Sequence, residues 1–316
     1  MIRNVVVAGG GVLGSQIAFQ NAYKGFETTI WLRSEASIGR CKPKIEQWRQ
    51  AYLQELEAAK SMLGNPRAPY ARGLIDDFET MTPEKLDEIK GRVNEAAGRI
   101  RYELDLAQAV KDADLLIESV AEIVADKEAF YKKLAPLLPE RCILATNSST
   151  FMPSHFAAMT GRPEKYLALH FANHIWRNNP AEIMGHPKTN PAVCDAIAVY
   201  AKALGMVPLR LQKEQPGYLI NSLLVPFLNA ALALLAKEVS TPVDIDLAWK
   251  LATGAPLGPF QIFDVVGLET AYNILSAMPG AQDPSTLQGK MVAILKSYID
   301  KGKKGRNAGE GFYAYR

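Results

Sequence analysis

Val5-Val6-Val7-Ala8-Gly9-Gly10-Gly11-Val12-Leu13-Gly14-Ser15 stands near the start of the chain and decides its fold. Three consecutive β-branched residues predict a short buried strand. Gly9, Gly11 and Gly14 follow at the spacing G-x-G-x-x-G: the first for a tight turn, the second for close backbone approach to a pyrophosphate, the third for packing of helix on strand. A helical run continues to Lys24, Gly25 breaks it, and a second apolar run, Thr28-Thr29-Ile30-Trp31-Leu32, arrives on schedule. Three spaced glycines alone are only a turn. Strand, glycine turn, helix and second strand together predict a dinucleotide site, with phosphate over Gly9, Gly11, Val12, Leu13 and Gly14 at the positive end of the helix.

The end of the second strand bears on cofactor choice. An acidic residue there would bond the ribose 2′-hydroxyl of NAD, whereas a nearby arginine suits the 2′-phosphate of NADP. This chain places Leu32 there, followed by Arg33 and Ser34, with Glu35 beyond. Arg33 and Ser34 point to NADP(H); NAD(H) is the alternative if the loop path lets Glu35 take the acidic role.

The chain has 316 residues, 48% hydrophobic and 22% charged, with a formal net charge of +3. That length suits two domains, and the mild charge argues against nucleic acid or a membrane surface as partner. Cys41, Cys142 and Cys194 are an odd number at no metal spacing, which predicts a reduced, cytoplasmic chain. Met1 to Asn4 passes straight into the first strand, leaving no room for a signal peptide. The longest apolar run, residues 223–236, is interrupted by Pro226 and Asn229 and is too short to span a bilayer.

Residues 37–98 are charged and helix-favouring. Ile45, Trp48, Tyr52, Leu53 and Leu56 predict a helix over 44–62, ended by Gly64-Asn65-Pro66, and Leu86, Ile89 and Val93 a second over 83–98. A helical hairpin inserted into a nucleotide-binding domain follows. Strands and helices then alternate: strands over 100–103, 115–120, 142–146, 166–170, 181–184 and 207–211, helices over 106–113, 126–138, from Pro153 and from Pro191. This alternation predicts a doubly wound α/β sheet of Rossmann type. Beyond Pro216 strands stop, and helices are expected over 217–236, 243–251, 267–278 and 285–299, an all-α C-terminal domain. The expected division is 1–213 and 214–316. The helix over 217–236 is apolar nearly all round, which predicts burial on every side and a homodimer formed through this domain.

In open parallel sheets, ligands lie past the carboxyl ends of strands. One such end carries Asn147, Ser148 and Ser149; another carries His170 and then Asn173. Glu182 follows twelve residues after His170. His170 can be a general base whose tautomer Glu182 fixes, against the plainer reading of a core histidine bonded to backbone. His170 and His174 would share a face as metal ligands only in a helix, and they follow a strand, so no metal site is expected. His155 and His186 are read as solvated or structural.

From Val5 to Tyr315 the chain resembles the L-3-hydroxyacyl-CoA dehydrogenases. The resemblance is carried by the glycine turn, by Ile117-Glu118-Ser119-Val120-Ala121-Glu122 with Lys127, by Thr146-Asn147-Ser148-Ser149-Thr150, and by His170-Phe171-Ala172-Asn173. It continues through Pro216-Gly217-Tyr218-Leu219-Ile220-Asn221, Asp244-Ile245-Asp246, residues 254–260 and Gly309-Glu310-Gly311-Phe312-Tyr313. It implies a catalytic set of Ser149, His170, Glu182 and Asn221, with Glu122, Lys127 and Asn173 as cofactor contacts. His170 would take the hydroxyl proton as hydride leaves, Glu182 would stabilise the imidazolium, and Ser149 and Asn221 would hold the substrate oxygen.

Departures from the family pattern are specific. Leu32 replaces the usual Asp, His174 the usual Pro after Asn173, Ser222 an Arg, and Asn307 a Lys. The family's Ser and Lys contacts to coenzyme A fall on Trp48 and Glu55, and a carboxylate is a poor partner for a polyphosphate. Residues 170–182, with Asn221-Ser222-Leu223-Leu224-Val225-Pro226, look most like the branch that contains diketoreductase. The expectation is therefore an NAD(P)-dependent enzyme of fatty-acid metabolism interconverting 3-hydroxyacyl-CoA and 3-ketoacyl-CoA. Reduction of free 3-keto or diketo esters is the second reading, and a non-catalytic nucleotide-binding structural protein the third.

Overall fold

The computed structural model describes residues 2–65 and 68–315, so Pro66 of the expected helix break lies outside the described residues. The chain divides into two compact units, Met1–Leu219 and Ile220–Arg316. In the first, eight strands form one sheet: β1 Asn4–Ala8, β2 Glu27–Trp31, β3 Ile100–Glu103, β4 Leu115–Glu118, β5 Ile143–Thr146, β6 Tyr166–Phe171, β7 Pro180–Met184 and β8 Val207–Arg210. Their order is β3-β2-β1-β4-β5-β6-β7-β8. All neighbours are parallel except β6 and β7, which run antiparallel. The central strands are buried on both faces, as the unbroken apolar runs Val5-Val6-Val7 and Leu115-Leu116-Ile117 require.

Among the described residues six α-helices belong to this unit: α1 Val12–Tyr23, α2 Glu35–Lys60, α3 Pro83–Ala96, α4 Leu106–Val110, α5 Val124–Leu134 and α6 Pro191–Ala203, with α2 and α3 packed on α1. The expected helical hairpin is α2 and α3; Trp48, Tyr52 and Leu56 share one core with Leu86, Ile89 and Val93. Its first helix differs from the expectation. It begins at Glu35 rather than near Lys44, because the Ser34 hydroxyl accepts from the N–H of Ser37 as an N-cap, and it continues through Pro43. Proline forfeits one backbone bond, but buried Cys41, Ile45 and Trp48 on either side hold the helix together. The helix expected from Pro153 is reduced to short 3₁₀ turns, Pro153–His155 and Ala157–Thr160.

The second unit is helical: α7 Ile220–Ala236, α8 Pro242–Thr253, α9 Pro259–Val266, α10 Leu268–Ser276 and α11 Leu287–Ile299. Helix α9 was not expected from apolar periodicity, although Pro259 at its first position is a start signal. Against the expectation of burial all round, α7 buries one side only, through Leu228, Ala231 and Leu232, while Leu223 remains 74% exposed. Its nonpolar composition therefore exceeds what this unit's core uses. Among the described residues no helix is long and apolar enough to cross a membrane.

Two buried carboxylates organise this unit. Asp246 accepts from the N–H groups of Phe260 and Gln261 at the start of α9, and from the Tyr313 hydroxyl. Asp264 accepts from the N–H groups of Phe312 and Tyr313 and from the Tyr315 hydroxyl. The C-terminal Gly-Phe-Tyr segment is thus held by buried charge-assisted bonds. Asp264→Ala strands those donors and is expected to cost roughly 2–4 kcal/mol, since each buried donor left unpaired costs about 1–3 kcal/mol. Urea unfolding of the variant measures it, and a loss below about 0.5 kcal/mol would refute the role.

Candidate active site

The glycine turn closes on itself without room for side chains. Gly9 has φ +119°, and a Cβ there would stand 2.3 Å from the Ser119 carbonyl oxygen; a Cβ on Gly14 would stand 2.3 Å from the Gly9 oxygen. This clearance lets α1 begin directly over β1 and point its first N–H groups outward. Beside the turn lies a cavity of about 700 Å³, walled by Gly9, Gly10, Gly11, Val12 and Leu13 on one side and Ser119, Val120 and Ala121 on the other. Trp31, Ala129 and Phe130 add an apolar wall that suits a base. Backbone approach, outward N–H groups and an apolar slot fit a dinucleotide.

Arg33 lines this cavity, together with Arg40 and Lys44 of α2 and Lys133 of α5. Ser34 is absent from the lining; its hydroxyl caps α2 and shares a hydrogen bond with Ser37. Glu35 is exposed in the first turn of α2 and does not line the cavity either. Leu32 is buried in the core.

The catalytic candidates arise from the antiparallel pair. In the β6–β7 register His170 stands directly opposite Glu182, so both side chains leave the same face. His170 Nδ1 lies 2.9 Å from Glu182 Oε2. An ionised carboxylate only accepts, so Nδ1 carries the proton and Nε2 is left for a substrate. Glu182 is fully buried, and its other oxygen accepts from the N–H of Leu219 at 2.7 Å. The Tyr218 ring stacks on the imidazole, centroids 4.4 Å apart at 20°. Its hydroxyl donates to the Ser148 carbonyl at 2.6 Å, and burial pushes that hydroxyl's pKa up, so it stays a donor. Tyr218 has φ +55°, a left-handed conformation uncommon for an aromatic residue, directly after Gly217. It was not singled out from the sequence, because it stood in a stretch expected to be helical.

The remaining expected residues divide into two sets. Lys127 is buried between Glu118, at 2.7 Å, and Glu122, at 3.1 Å. Burial pushes the Glu122 carboxyl up, but the Ser148 hydroxyl, the Lys127 ammonium and the Thr150 N–H outweigh it and hold it below the usual carboxylate range. Ser149 is exposed on the loop after β5, and Asn173 is exposed after β6, its carbonyl accepting from the Asn178 side chain. Asn221 lies in the first turn of α7, in the second unit.

The loop between β6 and β7, where the sequence departs most from the family pattern, is tied to the helices. Gln16 Oε1 accepts from the N–H groups of His174 and Ile175, and the Gly73 N–H donates to the Trp176 carbonyl. Trp176 packs among Trp48 and Tyr52, and its indole N–H donates to Glu55, which also pairs with Arg177.

Two adjoining family patterns cover the chain: the 3-hydroxyacyl-CoA dehydrogenase NAD-binding domain over residues 4–215 and the C-terminal domain of the same enzymes over 217–315. The chain belongs to the 3-hydroxyacyl-CoA dehydrogenase family. It is an oxidoreductase with a nicotinamide-dinucleotide-binding domain. It is 30% identical to the mitochondrial hydroxyacyl-coenzyme A dehydrogenase of Sus scrofa, over all of this chain and 92% of that protein. It is 28% identical to a probable 3-hydroxybutyryl-CoA dehydrogenase of Bacillus subtilis (strain 168), over 99% of this chain and 98% of that one. A solved diketoreductase structure, reported for substrate-directed dual catalysis of dicarbonyl compounds, is 46% identical with a TM-score of 0.85, covering 99% of each chain.

Within this family site, Tyr218 is expected to position the imidazole. Tyr218→Leu removes the stacked ring and should lower kcat about tenfold or more with KM little changed, while Tyr218→Phe keeps the ring and should restore most of kcat. Equal kcat for the leucine variant and the unaltered enzyme would remove the stacking role.

Proposed function

We propose that the protein interconverts a 3-hydroxy compound and its 3-keto counterpart with His170 as the acid/base and Glu182 as its partner. The observation that carries this is the 2.9 Å contact between a strand-end imidazole and a buried carboxylate. When bound, the nicotinamide exchanges the hydride with carbon 3. In reduction, His170 Nε2 gives its proton to the carbonyl oxygen; in oxidation it takes the hydroxyl proton as the C–H pair leaves. Glu182 stabilises the imidazolium and holds Nδ1–H in place. Ser149 and Asn221 hold the substrate oxygen, and Glu122, Lys127 and Asn173 serve the cofactor, roles supported by the family resemblance. NADP(H) is the preferred cofactor, supported by Arg33 in the cavity wall and by the burial of Leu32 where NAD-selective enzymes carry an acid.

Family membership supports an acyl-CoA thioester as substrate. The geometry favours the second reading, a free 3-keto or diketo ester. Glu55 is paired with Arg177 and bonded to Trp176, and Trp48 packs on Trp176, so neither of these two positions is a basic contact for a polyphosphate. The likeness to diketoreductase points the same way. The protein is a homodimer through its C-terminal unit, supported by exposed Leu223 and Leu234 on α7 and Leu247, Trp249 and Leu251 on α8. Three free cysteines, two of them buried, support a reducing, cytoplasmic setting.

His170→Gln is expected to lower turnover by ~10²–10⁴-fold, the usual worth of a positioned proton donor, with cofactor affinity intact. A variant keeping over half its activity would end the acid/base assignment. In a spectrophotometric screen, a diketo ester should be reduced with a higher kcat/KM than acetoacetyl-CoA; the reverse order returns the substrate to the thioester. Sedimentation at micromolar concentration should give a dimer, and a monomer would refute the interface.

A further inference from the structure

Residues 37, 40 and 44 fall at i, i+3 and i+7 of α2, so they form one stripe along the helix. The adjacent position on that helix, Cys41, is buried against the glycine turn and Leu32: a Cβ on Gly10 would stand 2.6 Å from Cys41 Sγ and 2.9 Å from Leu32 Cδ2. This contact seats the first turns of α2 against the cavity, and Ser37, Arg40 and Lys44 all line it. Hydrogen bonds run along the stripe. Arg40 Nη2 donates to Ser37 Oγ at 3.0 Å, and Lys44 Nζ donates to the Arg40 carbonyl at 2.8 Å. Four cations, Arg33, Arg40, Lys44 and Lys133, line the cavity against a single carboxylate, Asp126. A cavity of that balance favours an anionic ligand.

We propose that Ser37, Arg40 and Lys44 form, with Arg33, the seat for the 2′-phosphate of NADP(H), so that α2 as well as the strand end sets cofactor choice. This rests on the NADP(H) reading above and assigns it to residues of the inserted hairpin. Arg40 supplies a planar fork for two phosphate oxygens, Lys44 a point charge, and Ser37 a hydroxyl donor. NADH has only a 2′-hydroxyl at that position and gains nothing from either cation.

Isothermal titration with NADPH and with NADH separates the possibilities for the unaltered protein, the double variant Arg40→Ala/Lys44→Ala, and Arg33→Ala. Expected are tighter binding of NADPH by the unaltered protein and a loss on the order of 30-fold or more in NADPH affinity for the double variant. NADH affinity should stay within about threefold, which also shows that the double variant is folded. The NADPH affinity of the unaltered protein should fall with added salt more steeply than that of the double variant. If the unaltered protein prefers NADPH and the double variant keeps that preference while Arg33→Ala loses it, the α2 seat is refuted and the cofactor reading stands. If the unaltered protein prefers NADH, the cofactor reading fails and the seat fails with it. Equal loss of both cofactors in the double variant would place Arg40 and Lys44 on the part common to both, which also overturns the proposal.

Discussion

Neighbouring elements close on the glycine turn because Gly9, Gly10 and Gly14 carry no side chain of their own, and this end of the sheet depends on that closure. Gly9 faces the Ser119 carbonyl after β4, Gly14 brings α1 onto the Gly9 carbonyl, and Gly10 receives Cys41 of α2 and Leu32 after β2. Each contact is closer than a Cβ permits. The constraint is steric before it is chemical: a methyl group at any of the three would push away one wall of the cavity. The exposed start of α1, the apolar slot and the cationic stripe of α2 are consequences of one packing event.

The pairing of His170 with Glu182 has a different origin. The segment between β6 and β7, residues 172–179, is too short for the crossover that parallel neighbours need, so the strands must run antiparallel. Once antiparallel, residues facing each other share a constant sum of numbers, and His170 and Glu182 fall opposite along with Ala168 and Met184. The sequence shows a strand-end histidine and a carboxylate in the next apolar run, twelve residues on; the antiparallel register that sets them opposite comes from the structure. What alternation could not reveal is the turn that clamps the pair. Tyr218 reaches the imidazole only because Gly217 and Tyr218 both adopt positive φ, and nothing in an apolar stretch ahead of a helix announces a left-handed tyrosine.

Helix α2 shows how a sound local rule hides a polar stripe along the cavity. The apolar spacing that announces this helix begins only at Ile45, behind Pro43, and a proline inside a helix costs about 3 kcal/mol relative to alanine. Burial of Cys41, Ile45 and Trp48 overrides that preference, as tertiary packing commonly does. The misplaced start concealed the stripe of Ser37, Arg40 and Lys44, since their periodicity means nothing outside a helix. Arg33 was legible because a strand end is a fixed landmark in this architecture. Ser34 was legible as a polar residue beside that landmark, but its hydroxyl caps the backbone of α2.

Buried charge shows the limit of motif reading from the other side. Glu118 and Lys127 are both enclosed, and Glu118 also accepts from the hydroxyls of Tyr131 and Thr146. Two charges taken out of water regain little net stability from their attraction, so stability is a poor explanation for the pair. Geometry is a better one. Lys127, held by Glu118, reaches Glu122, and Glu122 bonds the Ser148 hydroxyl and the Thr150 N–H. The end of β4, helix α5 and the loop after β5 are thereby locked into one wall beside His170 and Tyr218. Lys127, buried in that wall, is held by Glu118 and braces Glu122. A motif records that a lysine stands at a given distance from two glutamates; only depth tells whether it meets the ligand or holds the residue that does.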